Sequence, residues 1–207
     1  SITISTSITL ISGSAFYECT NLQSITIPTG VTTIGDSAFW NCTNLRSITI
    51  PTSVASIGDS AFYECKNLKS IIIPASVTLI GDSAFSHCSK LTSITIPISV
   101  TSIGDSAFSD CSNLQSINVE SDNLRFASID GILFSKDHAT LIRFPQNYQS
   151  QAYSIPKSVT SIGDSAFSHC SHLTSITIPT SVTSIGDYGF SCCEYLDSIT
   201  IPTSVTS

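Results

Sequence analysis

The chain has no methionine, a single tryptophan and few charges. Only 11% of its 207 residues are Asp, Glu, Lys or Arg, less than half the usual share of about 25%. Eight of those charges are basic and fifteen acidic, a formal charge of −7. So few cations argue against nucleic acid, which needs clustered Lys and Arg, and against an anionic membrane surface. No apolar run approaches the ~18 residues of a membrane-spanning helix. No signal peptide is visible in this stretch. The hydrophobic share is nonetheless 41%, spread evenly and mixed with Ser and Thr, which is a core-forming composition and not that of a charged disordered segment. By length alone one or two domains are expected.

What is present is a repeat. Phe occurs at Phe16, Phe39, Phe62, Phe85 and Phe108, each 23 residues after the last, and again at Phe167 and Phe190. A Cys follows each Phe by three positions, from Cys19 to Cys193, and a Leu follows each Cys by three, from Leu22 to Leu196. Pro28, Pro51, Pro74, Pro97, Pro156, Pro179 and Pro202 close the stretch after the Leu.

In one unit, Ser24-Ile25-Thr26-Ile27 alternates polar and apolar as a half-buried strand does. Pro28 ends that strand, because it has no N–H for the ladder. Val31 and Ile34 point inward from a second extended piece. Gly35 is read as the residue that permits a sharp turn, and Asp36 as the N-cap of one helical turn. Ala38, Phe39 and Cys42 fall at helical spacings, so they can face the core together. A single unit cannot bury its own apolar face. Stacked units can, and the product is a solenoid with strands pairing in parallel at ~4.8 Å. The strand side is the more compact, which places the parallel sheet on the concave face and short helical turns on the convex face.

The pattern L-x-S-I-x-I-P-x-S-V-x-x-I-G-D-S-A-F-x-x-C resembles the BspA-like class of leucine-rich repeats, and the resemblance runs the whole length of the chain. It implies an α/β leucine-rich-repeat solenoid. It also implies a protein of microbial or protist surfaces, secreted or on the cell surface, with a role in adhesion to host proteins and to other cells.

The domain organisation expected is one solenoid over 1–207: regular repeats over 1–119, a longer irregular repeat over 120–155, and regular repeats again over 156–207. Two apolar runs in the long repeat, Ser128–Phe134 and Thr140–Pro145, flank a short polar link and predict a β-hairpin. Leu141 to Pro145 also resembles a repeat strand with its closing Pro. The resembling family carries a similar insert, which favours a structural variant of the repeat over a contact element. With no Met, and with strands expected at both ends without polar caps, the sequence reads as a fragment of a longer repeat protein, and uncapped ends permit end-to-end self-association.

Several motifs have plain structural readings. Gly-Asp-Ser recurs five times, from Gly35-Asp36-Ser37 to Gly163-Asp164-Ser165, whereas a serine nucleophile needs one site with one base. The Asp column offers one carboxylate per repeat, too few for calcium. Seven of the eight Cys share one inward slot, which suits buried free thiols and gives poor geometry for disulfides. Cys192 breaks that column and is expected outside. His169-Cys170-Ser171-His172 is metal-like locally, but nothing completes a tetrahedral site. Asn41-Cys42-Thr43 fits a glycosylation triplet beside a core Cys. No cofactor, metal or catalytic residue is assigned, and the chain is read as a non-enzyme.

The candidate binding surface is the outward row of the first strands. One column is Ser24, Ser47, Ser70, Ser93, Ser116, Ser175 and Ser198. The next is Thr26, Thr49, Ile72, Thr95, Asn118, Thr177 and Thr200. Together they tile a face with hydroxyls and almost no charge, offering donors and acceptors at regular spacing to a protein or glycan ligand. Without Trp, Tyr or Arg in these columns, affinity per module is expected to be low and avidity to matter. A second surface is an aromatic stripe, Tyr17, Trp40 and Tyr63, which reads equally well as cover for the turns. The leading function is a non-enzymatic, adhesin-like interaction module. The alternative is an intracellular scaffold or a structural spacer, which unpaired cysteines also fit. Ice or mineral binding is disfavoured by the curvature expected of the stack.

Overall fold

The computed structural model describes residues 2–207. It is a parallel-strand solenoid with two ladders. In the first, Ile2–Thr3, Ser24–Thr26 and Ser47–Thr49 pair in parallel, with Ile2 opposite Ile25 and Ile25 opposite Ile48. In the second, Leu10–Ile11, Thr33–Ile34, Ser56–Ile57, Leu79–Ile80 and Ser102–Ile103 make a continuous five-stranded parallel sheet. Partners in both ladders stand one 23-residue period apart, so each side chain stacks on its own equivalent. Pro28 ends the first strand and its carbonyl accepts the Val31 N–H at 3.1 Å, turning the chain into the second.

The core lies between the ladders and the opposite side of each rung. Leu22, Ile25, Ile27, Val31, Ile34, Ala38, Phe39 and Cys42 are all buried. The Phe rings stack into one column, with centroids 5.1 Å apart between Phe16 and Phe39 and 5.3 Å between Phe39 and Phe62.

The side carrying Ala38, Phe39 and Cys42 contains no helix among the described residues; it is a run of turns. The expected helical turns on the convex face are therefore corrected, and the reason is visible in the backbone. Alternate amides serve different partners. Ala38, Trp40 and Cys42 donate three residues back, to Gly35, Ser37 and Phe39, while Ser37, Phe39 and Asn41 donate to Asp59, Ala61 and Tyr63 of the next rung. Two left-handed residues per rung accompany the second set: φ is 54° at both Ser37 and Asn41, and is again positive in the same two positions at Ser60 and Glu64. Periodicity at helical spacing cannot distinguish this chain of turns from a helix, because both bring Ala38, Phe39 and Cys42 to one side.

Asp36 is likewise not an N-cap. Its Oδ1 accepts the Asp59 N–H of the next rung at 2.9 Å, and Asp59, Asp82 and Asp164 repeat the bond. Gly35 has an ordinary φ; what requires glycine is close approach. A Cβ on Gly58 would lie 2.4 Å from the Asp36 carboxylate and 2.7 Å from its backbone nitrogen. Other columns hold the rungs in the same translational way. The Cys65 thiol donates to the Phe39 carbonyl at 3.3 Å, Asn67 to Thr43 at 2.7 Å and Ser76 to Val54 at 2.6 Å. The cysteines are free, and five of them are buried. Burial pushes the Cys42, Cys111 and Cys170 thiols up to about 12.

Residues 120–155 depart from this plan. Phe126–Ile129, Ile132–Ser135 and Thr140–Arg143 form an antiparallel meander, the first pair joined by Asp130 and Gly131 in positive φ. Thr140–Arg143 then pairs in parallel with Ser161–Ile162, and so stands in the second ladder. Leu141 to Pro145 is therefore not a first-ladder strand, as its closing Pro had indicated; Ala152–Ser154 fills that place, opposite Ser175–Thr177. The strand Ile132–Ser135 serves two cores. Leu133 packs into the cluster running from Ile11 to Ile117, while Ile132 and Phe134 join the cluster running to Val182.

Candidate functional site

Alternation along the first strands turns Ile25, Ile48, Ile94 and Ile176 inward and leaves the intervening hydroxyls outside. Parallel register then aligns equivalent residues. Ser24 faces Ser47 and Thr26 faces Thr49; Ser93 faces Ser116 and Thr95 faces Asn118; Ser175 faces Ser198. Ser24, Thr26, Ser47, Thr49, Ser70, Ser93, Thr95, Asn118, Ser175, Thr177, Ser198 and Thr200 are exposed. Ser116 is half-buried, because the hairpin turn packs on it: a Cβ at Gly131 would stand 2.6 Å from the Ser116 Cβ. Asn118 also turns its amide to the Ser116 hydroxyl at 3.3 Å. The row continues through Ala152 and Ser154, which pair with Ser175 and Thr177. Sequence reading missed these two, although Tyr153-Ser154-Ile155-Pro156 echoes the strand's closing pattern.

The face is interrupted between Ser47–Thr49 and Ser93–Ile96. The rung Ser70–Ile73 carries no strand pairing, and the backbone of Lys69 to Ile73 makes no hydrogen bond among the described residues. Ile72 replaces the usual Thr there and is 82% exposed. A shallow cleft lined by Ser47 to Ile50 and Ser70 to Ile72 runs beside it. Arg46 and Lys69, exposed just before Ser47 and Ser70, have no acidic partner among the described residues.

The aromatic stripe is a stack. Tyr17 and Trp40 have centroids 6.0 Å apart, Trp40 and Tyr63 3.9 Å, and Tyr63 meets His87 edge-on at 5.0 Å. Ring faces thus cover one another, and Trp40 and Tyr63 are half-buried.

The metal-like and nucleophile-like motifs do not converge. His169 pairs with Asp110, Nε2 to Oδ1 at 3.5 Å, and Asp110 also meets His87 at 3.5 Å. Cys170 is buried, and Cys192 is exposed. No group of His, Cys, Asp or Glu among the described residues is arranged to hold a metal ion.

The comparisons accord with this geometry. A family model, the BspA type leucine-rich repeat region, matches in six copies over residues 1–115, 33–153 and 143–207. A leucine-rich repeat protein from Eubacterium ventriosum is 29% identical, with a TM-score of 0.80 over 93% of this chain and 57% of that one. The pneumococcal vaccine antigen PcpA is 29% identical, with a TM-score of 0.81 over 88% of this chain and 51% of that one. A leucine-rich repeat protein of T. pallidum is 26% identical, with a TM-score of 0.56 over 86% of this chain and 66% of that one. The chain thus spans little more than half the length of the first two of these structures. No curated protein matches it. Repeat, ladders and family model agree, and the chain belongs to the BspA-type leucine-rich repeat family.

Proposed function

We propose that the chain is a cell-surface or secreted, adhesin-like interaction module whose ligand, a protein or a glycan, lies along the Ser/Thr row of the first ladder. Leucine-rich repeat proteins of this family are generally protein-interaction modules, and the fold is generally a non-enzymatic binding scaffold. The observation that carries the reading is the parallel register that aligns Ser24 with Ser47 and Thr26 with Thr49 on an exposed, nearly uncharged face. Hydroxyls there have no role in the core. Ile72 supplies the one large apolar side chain of the row, with Arg46 and Lys69 beside it. A surface location is supported by the similarity to a protein described as a vaccine antigen.

The test is a binding screen of the chain, displayed in many copies on beads, against extracellular-matrix proteins and a glycan array. Thr49→Lys, Thr95→Lys and Thr177→Lys combined should weaken any true ligand about tenfold or more, since each buries a charge in the contact. No binding by the displayed chain, or binding that the triple variant keeps, overturns the proposal.

A further inference from the structure

At the junction with the long repeat, the translational hydrogen bonding of the turn side is broken on one lip. In regular rungs the amides equivalent to Ser37, Phe39 and Asn41 donate to the following rung, through His87, which donates to Ser109. The next rung has Ser106, Phe108 and Asp110 in those positions, and their N–H groups have no partner among the described residues. The cause is covalent. From the second-ladder residue to the Phe there are five positions in a regular rung, Ile162 to Phe167, but three in the long repeat, Leu141 to Phe144. The Gly-Asp-Ser turn, whose Asp carbonyl is the first of the three acceptors in a regular rung, is shortened away.

The result is a cleft of about 210 Å³, lined among others by Ser106, Phe108, Ser109, Leu133, Ile142 and Arg143. Arg143 is 5% exposed. Its two terminal nitrogens donate to the Ser165 and Ser168 carbonyls, and no carboxylate lies within ion-pairing distance among the described residues. Its Nε and the Ser109 hydroxyl are buried without a partner among the described residues. Burial disfavours the guanidinium charge, lowering its pKa against the opposing pull of Cys170, Cys111 and Asp110. Two backbone N–H groups, a hydroxyl and a buried cation thus belong to residues lining one space, and neither carboxylate that shares it, Asp105 or Asp164, pairs with any of them among the described residues. Unmatched donors around a fixed positive charge form an anion site.

We propose that this cleft binds a small monoanionic carboxylate with an apolar body. The donors take the carboxylate; Phe108, Leu133 and Ile142 take the hydrocarbon. Asp105 and Asp164 also line the cleft and are exposed, so a dianion such as phosphate is disfavoured by like charge. The site lies apart from the Ser/Thr row and does not depend on the function proposed for it.

Isothermal titration of the whole chain with isobutyrate, with isobutyramide as the neutral isostere and inorganic phosphate as the competing anion, tests it. Isobutyrate should bind saturably at one site, the amide at least tenfold more weakly, and phosphate more weakly than isobutyrate. Arg143→Gln should weaken isobutyrate about tenfold or more, as loss of a charged partner does, and Ser109→Ala several-fold. If Arg143→Gln does not fold by circular dichroism, Ser109→Ala and the amide decide. No saturable heat with isobutyrate, equal binding of the amide, preference for phosphate, or unchanged affinity in the variants that fold overturns the proposal.

Discussion

A regular rung and the junction at residues 120–147 solve one problem in opposite ways. Among the regular rungs, the same hydrogen bond recurs one period on. The Val54 carbonyl takes the Ser76 hydroxyl, and the Val77 carbonyl takes Ser99. At the junction no copy arrives, and single side chains substitute. Buried Asn123 donates to the Pro97 and Val100 carbonyls and accepts the Arg125 and Phe126 amides. Gln146 and Arg143 both reach the Ser168 carbonyl, where a regular rung places an amide. Repetition spreads hydrogen bonding thinly over many equivalent residues, whereas an interruption concentrates it on a few.

The sharpest way to attack the regular rungs is alkali. The core thiols recur in each of them, and the junction has Asn147 at that position. Burial holds Cys42, Cys111 and Cys170 protonated to about 12, against an ordinary value of 9.0. The unfolded chain loses those protons first, so stability is intact below pH ~9 and falls as pH rises toward 12. Three thiols contribute a slope of about 4 kcal/mol per pH unit. Chemical denaturation followed across this range should show that steep loss, and Cys111→Ala with Cys170→Ala should shallow it. A flat profile would break the contrast.

Substituting the junction's polar residue comes next. Asn123→Ala removes four bonds and should cost about 3–4 kcal/mol, while Ser76→Ala, with one bond in a regular rung, should cost about 1 kcal/mol. Urea midpoints measure both, and equal costs would mean that the junction is no more concentrated than the rest.

The smallest contrast is steric. In Gly81→Ala the new Cβ meets the Asp59 nitrogen at 2.6 Å, but in Gly163→Ala the nearest atom, the Leu141 carbonyl oxygen, is 3.3 Å away. The first should lose about 2–3 kcal/mol and the second under about 1 kcal/mol, as read by melting temperature.

Much of this was legible in the sequence. A 23-residue period with Leu, Ile, Val, Phe and Cys at fixed offsets leaves one way to bury them, and Ser24 to Thr26 alternates as a strand must. What escaped was the destination of polar groups. Asp36 has the right chemistry for an N-cap and for a strut to Asp59, and only the stacked neighbour decides between them. Glycine at position 35 is as suited to a turn as to close approach. Ser116 belongs to the hydroxyl row by period, yet Gly131, fifteen residues on and outside the repeat, covers it. The donors of the junction cleft were invisible for the same reason: Ser106 and Phe108 look like every other Ser and Phe of their columns, and what sets them apart is the shortened turn that follows.

The direction of the turn-side bonds has a consequence for symmetry. Ser37, Phe39 and Asn41 all give their N–H toward the later rung, and no bond of this set runs the other way. This set of backbone bonds is therefore polar, its hydrogens pointing to the later rung, whereas the Asp59 N–H and the Cys65 thiol point back to the earlier one. Two copies meeting flank to flank through like flanks would oppose hydrogen to hydrogen or oxygen to oxygen. An assembly that prolonged this set of bonds would run head to tail, a heterologous contact and not a twofold one.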